Sequence, residues 1–326
     1  MALPDSTYQL EGISPRAFQH PADRAATAAL KQVPYLDSVV RKLIELGYER
    51  ALRQAMLGSA VRLGQEQLPR IWVLEREVFH VLDLQDVPDL YLTQFPIANA
   101  LTFGSGRPVI VLNSELVRIL DADGLRVVIA HEAAHVLSDH VLYQTALVIL
   151  LQLGASMRLP IFAGLPLLAI RSALLEWSRA AELSCDRAAA LVTRDPMAVC
   201  RALMAIAGGE AVDELNLDAF MNQGLEYDEK GSGLERLTRL FMHLNITHPM
   251  PVRRTHQLLE WVRSGDYDRI KDGSYIRRGQ EPPLREEAGA AQEHYAARVR
   301  DAFKDVGDSL GDVGDQLGEW LSRQKK

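Results

Sequence analysis

His131-Glu132-Ala133-Ala134-His135 sets two imidazoles four residues apart with a carboxylate between them. On a helix, residues four apart point the same way, so both rings can reach one ion. Glu132 then flanks that ion and can take a proton from a water bound to it, the arrangement of a zinc hydrolase. The same pentapeptide also occurs on amphipathic helices whose histidines are ordinary hydrogen-bonded residues, so its surroundings decide. Leu125 to Ala130 is apolar enough for a buried helix, and Asp121 or Asp123 stands where a cap belongs. Buried imidazoles and carboxylates need partners, and a metal ion supplies two of them directly.

A catalytic zinc takes three protein ligands and keeps a position open for water. The stretch from Glu176 to Arg187 reads as a helix rich in small residues, and Glu182 and Asp186 share one of its faces. Glu182 can ligate while Asp186 receives the free ring N–H of a ligating histidine, which fixes the tautomer. The competing reading pairs Glu182 with Arg179 or Arg187 on an exposed face. Glu176 lacks an acidic partner one turn on, and Cys185 reads more naturally as a small buried thiol. His140 falls about 180° around an ideal helix from His131, which speaks against direct ligation.

The elements that must position these groups follow from periodicity. Pro4, Pro15 and Pro21 leave residues 1–22 loosely structured, and Ala22 to Leu68 is helical, with Val39, Val40, Leu43 and Ile44 along one helix that stops at Gly47. Ile71 to Leu74 reads as a short strand or a helix start. Leu90–Leu92, Leu101–Phe103 and Val109–Leu112 read as strands, the last two joined as a hairpin through Gly104-Ser105-Gly106. Val141 to Met157 gives seventeen residues without a charge, and Leu159 to Ile170 twelve more. Each is shorter than the ~20 apolar residues of a bilayer span. Two readings stay open: a helical hairpin packed on the catalytic helix or a second subunit, and a hairpin touching a membrane. Arg158 and Arg171 sit awkwardly for the second. Val299, Val306, Val313 and Trp320 recur every seven residues, with Phe303, Leu310 and Leu317 between them. Four glycines weaken that seam by ~1 kcal/mol each, leaving a partly disordered tail that orders against a partner.

Composition bounds the rest. In 326 residues, 48% are hydrophobic and 24% charged, as in a folded globular protein, and a net charge of −7 gives no reason to expect nucleic acid. Cys185 and Cys200 are too few for a disulfide framework, and Met1 to Gln19 has no apolar core of a secretory signal, so a cytoplasmic location is expected. The expected fold is α+β and mainly α-helical, with a small sheet edge beside the helix carrying the histidine pair. Its divisions are a loose N-terminus (1–22), a catalytic domain (23–275) containing the hydrophobic hairpin at 141–175, and a linker and amphipathic tail (276–326).

His131-Glu132-x-x-His135, the two hydrophobic segments after it and Glu182-x-x-x-Asp186 resemble the gluzincin metallopeptidases, among them the CAAX prenyl protease and the HtpX heat-shock endopeptidase. The resemblance covers roughly residues 20 to 275. It implies a zinc-dependent endopeptidase holding one Zn²⁺ per chain, with His131, His135 and Glu182 as ligands, Asp186 behind them and Glu132 as the base. Asn99-Ala100 with Phe103-Gly104 is similar to the family's substrate-binding edge strand, which makes Asn99, Ala100, Leu101 and Phe103 substrate contacts. Thr247-His248-Pro249 with Arg253 resembles a loop near the active site. His248 would there donate to the developing oxyanion or close the open zinc position, and Arg253 would stabilise charge or anchor the loop. The implied partner is a polypeptide substrate, with 141–175 and 299–321 as the stretches for a membrane surface or self-association. The rival is a scaffold with a structural or latched zinc, against which an intact Glu132 argues.

Overall fold

In the computed structural model the described residues are 8–30, 36, 40, 47–104, 106–156, 161–226 and 250–281. The loop at 247–249 with His248, Arg158 between the hydrophobic segments, and the seam at 299–321 lie outside them. In chain order the elements are α1 (Pro21–Leu30), α2 (Tyr48–Ser59), β1 (Val61–Arg62), α3 (Pro69–Val81), β2 (Asp89–Thr93), β3 (Ala100–Phe103), β4 (Val109–Asn113), α4 (Ser114–Ile119), α5 (Ala122–Leu137), α6 (Val141–Ser156), α7 (Ile161–Thr193), α8 (Pro196–Gly208), α9 (Leu217–Glu226), α10 (Pro251–Arg263) and α11 (Asp266–Lys271).

The fold is mainly helical with one mixed sheet, ordered β1-β2-β4-β3. β2 runs parallel to β4, with Asp89 opposite Val109, while β3 runs antiparallel to β4, with Ala100 opposite Leu112. The hairpin expected across Gly104 is therefore present. Gly104 has φ 108° there, and an added Cβ would stand 2.7 Å from the Arg107 carbonyl oxygen, so the turn requires glycine. Ile71 to Leu74 belongs to α3 rather than to a strand: Pro69 opens that helix, and Ile71, Leu74 and Val78 bury one side of it at helical spacing.

α5 carries the histidine pair. Asp121 caps it by accepting from the Gly124 amide at 2.8 Å. Its apolar residues go all round rather than forming one stripe, so the helix lies inside the protein, with Ala130, Ala133 and Ala134 fully buried. Those small residues let α7 lie close along α5 with its own Ala181, Cys185, Ala188 and Ala189. The second hydrophobic segment and the Glu182 stretch prove to be one helix, α7, of 33 residues.

α5 stops at Leu137, and Asp139, at φ 56°, turns the chain into α6 at an angle of 106°. Among the described residues no single helix is long and apolar enough to cross a membrane. α6 packs with α1 and with Trp177 of α7 in a cluster of its own. Residues 8–20 have little regular structure, yet Leu10, Ile13 and Phe18 are among the most buried side chains of the main core.

Candidate active site

Antiparallel packing of α5 and α7 brings His131, His135 and Glu182 together. His131 Nε2 lies 3.3 Å from one oxygen of Glu182 and His135 Nε2 lies 3.4 Å from the other. The rings stand edge to face with centroids 5.1 Å apart. All three side chains are buried, so the donors face one another without bulk water between. Burial opposes charge on both rings. For His131, Glu182 and Asp186 outweigh it and raise the pKa, whereas His135 is pushed down to about 4.

Behind this cluster the opposite ring nitrogens are committed. His131 Nδ1 is 3.0 Å from Asp186 Oδ1. Asp186 in turn accepts from Arg254 of α10, Nε to Oδ2 at 2.7 Å and Nη2 to Oδ1 at 2.5 Å, a forked contact. Arg254 Nη1 also lies 3.1 Å from Glu182. Burial would raise the pKa of Asp186, and the guanidinium beside it wins and holds it low. With Nδ1–H of His131 directed at a carboxylate, its Nε2 lone pair points to Glu182.

These donors suit a divalent metal: two imidazole nitrogens and a carboxylate converging from two rigid helices, with the ring tautomer set from behind. Cys185 offers a further donor, its sulfur lying with the two histidines inside 4.8 Å. Burial and four nearby carboxylates push that thiol up and keep it protonated, the form that does not ligate. Glu182 touches both rings and is the better third group.

Glu132 lies on the face of α5 towards β3, where Thr102 donates to its Oε2 at 2.6 Å. Glu132 and His131 line a cavity of about 340 Å³ whose far wall is apolar, with Val127, Val128, Leu203 and Ile206. Phe95 and Ile97 stand exposed at its rim.

Of the expected substrate contacts, Asn99 and Ala100 line this cavity. Strand alternation sends Leu101 and Phe103 to the other face of β3, against Tyr91, Val109 and Val111. The expected arginine is displaced by one residue. Arg253 lies close enough to His20 to help depress its pKa, and Arg254 is the residue that enters the site. Sequence reasoning also passed over His140, Asp23 and Thr102. Continuing α5 as an ideal helix put His140 on the far side, but the left-handed Asp139 swings it back until His140 Nδ1 is 3.2 Å from His135 Nδ1. The signal available was Ser138-Asp139, two residues that favour helix ends.

A histidine pair four apart on a buried helix, with a glutamate from an antiparallel neighbour and a second glutamate at the cavity, has the donor set of a metallohydrolase. Residues 73–262 match the model of Peptidase family M48. The chain is 36% identical over 255 residues to the plastoglobule-localized metallopeptidase 48, chloroplastic, of Arabidopsis thaliana, covering 77% of this chain and 73% of that protein. No solved structure matches it. The chain belongs to the M48 peptidases: it is a metal-dependent hydrolase of peptide bonds, as its resemblance to the gluzincins implied.

Proposed function

We propose that this chain is a zinc-dependent endopeptidase that cuts extended or unfolded polypeptide segments, with His131, His135 and Glu182 holding one zinc ion and Glu132 acting as the base. The observation that carries the reading is the convergence of both histidine Nε2 atoms on Glu182 at 3.3 and 3.4 Å, with Glu132 at the neighbouring cavity wall. A zinc ion there supplies Lewis acidity to the scissile carbonyl and to water. Glu132 takes the proton of the attacking water and returns it to the leaving amine, its carboxylate oriented by the Thr102 hydroxyl. Asp186 and Arg254 hold His131 in the tautomer that ligates.

β3 is the outermost strand of the sheet and runs beside α5, and an extended peptide adding to it would pass Glu132. Asn99 and Ala100 would face its backbone, and the apolar wall of the cavity would take a large hydrophobic side chain next to the scissile bond. Such docking requires a segment free of its own secondary structure, which is the reason unfolded chains are the expected substrates.

Glu132→Gln should keep its zinc and lose cleavage of an unfolded protein by several orders of magnitude, since the reaction loses its base while the ligands stand. Undiminished cleavage with zinc retained would remove Glu132 from the mechanism. Glu182→Ala should lower zinc content, and full occupancy would refute its assignment as a ligand.

A further inference from the structure

We propose that Asp23 and His140 are positioning residues for His135: a chain of polar contacts from α1 fixes the His135 tautomer and presents its Nε2 lone pair to the metal. The inference rests on the reading of His135 as a ligand through Nε2. It assigns a function to a buried cluster, centred on Asp23 over a hundred residues from His135 along the chain, that the chemistry of Glu132 leaves unused.

The polarity of the chain can be deduced group by group. Asp23 is fully buried, and four donor groups surround its carboxylate. Ser184 Oγ accepts from the His20 amide at 3.0 Å, so its own proton goes to Asp23 Oδ2, 2.6 Å away. Thr27 Oγ1 accepts from the Trp177 indole at 2.9 Å, so its proton goes to Asp23 Oδ1 at 3.2 Å. Gln19 Nε2 donates to Oδ2 at 3.0 Å. With three donors fixed on it, Asp23 is held as a carboxylate, its pKa lowered to about 2 by His140 and these bonds against the opposing pull of burial. A carboxylate only accepts. His140 Nε2 lies 3.2 Å from Asp23 Oδ2, within ion-pair distance of a group that only accepts though outside hydrogen-bond alignment, and that carboxylate favours a proton on this nitrogen.

A His135 that ligates through Nε2 keeps its lone pair there and carries its proton on Nδ1, which lies 3.2 Å from Nδ1 of His140 and donates to it. The Cys185 thiol, kept protonated by burial, faces the same His140 nitrogen at 3.9 Å, which again suits an acceptor there. The proton of His135 is thus on Nδ1, and Nε2 is left open toward Glu182. The Trp177 ring stands at 90° to His140 with centroids 5.4 Å apart and holds its plane. Both ligand histidines are in this way set by a carboxylate: His131 directly by Asp186, and His135 at one remove through His140.

The test has two arms on the full chain. In metal-free wild type, nitrogen-15 chemical shifts of the histidine rings should place the His135 proton on Nδ1 and the His140 proton on Nε2. A His135 proton on Nε2 would overturn the proposal, whether or not the protein binds zinc. In the second arm, zinc and cobalt(II) affinities are measured by competition with a chromophoric chelator. His140→Phe, which removes the acceptor, should weaken both ~10- to 100-fold, the usual loss when a ligand histidine is deprived of its outer partner. His140→Gln, whose amide carries an acceptor and a donor side by side, should recover most of that loss and the visible cobalt spectrum. Affinity in His140→Phe equal to wild type would also overturn it. Wild type that binds neither metal would instead refute the zinc reading and leave the ring-nitrogen measurement to decide the relay.

Discussion

Arg254→Met is the perturbation whose size the geometry fixes best. The guanidinium makes two bonds to Asp186, at 2.7 and 2.5 Å, and lies 3.1 Å from Glu182. Its side chain and both carboxylates are more than nine-tenths buried, so solvent screening takes nothing from the interaction. Methionine keeps most of the volume and removes the charge, leaving two buried carboxylates without the guanidinium that pairs with them. Breaking one partner out of a buried ion pair costs ~3–5 kcal/mol, because the remaining charge is stranded. That is a large share of a stability of about 5–15 kcal/mol. Arg254→Lys keeps the charge and loses the fork, so it should cost ~1.5–3 kcal/mol, the worth of a hydrogen bond to a charged group. The assay is guanidinium unfolding of chelator-treated protein followed by circular dichroism, with the three proteins compared at equal denaturant dependence. A methionine variant within ~1 kcal/mol of wild type would refute the argument that Arg254 neutralises this site.

Thr102→Val removes the donor 2.6 Å from Glu132 without changing shape, and should lower kcat about tenfold, with metal content and KM unchanged; an unaltered kcat would show that Glu132 is held by other groups. Glu75 of α3 is buried and its carboxyl is pushed up to about 8, against 4.5 for an exposed glutamate. Between those values the unfolded chain gives up the proton and the folded one keeps it, so stability falls as pH rises, by about 1.4 kcal/mol per pH unit at most, and levels above about 8. Glu75→Gln should abolish that slope, and parallel stability curves for the two proteins would sink the assignment.

The chemistry was legible in the sequence because spacing on a helix translates directly into a shared face. His131, His135, Glu182 and Asp186 could each be placed by counting residues within one element. The strands and the hairpin at Gly104 followed from alternation and turn residues in the same way. What stayed hidden depends on where elements end and how they meet. His140 was set aside because α5 was continued past Ser138-Asp139, although that pair favours a helix end and Asp139 takes a left-handed conformation there. Asp23 and Thr102 come from α1 and β3 and meet α5 only through tertiary packing. Arg254 rather than Arg253 reaches the site because the facing side of α10 is set by its contact with α7 and α8, which a single sequence leaves open. Leu101 and Phe103 were grouped with Ala100 by position, although alternation along β3 sends them to the other side.

The groups around the two histidines come from both ends of the described chain, Asp23 from α1 and Arg254 from α10. A polypeptide emerging from the ribosome with α5 and α7 already made still lacks Arg254, the guanidinium that pairs with Asp186 and Glu182 in the finished site. The hydrolytic centre is therefore among the last parts of the molecule to be completed. With unfolded segments as the proposed substrates, that order of assembly matters: the growing chain is itself such a segment, and it carries no finished blade while it is exposed.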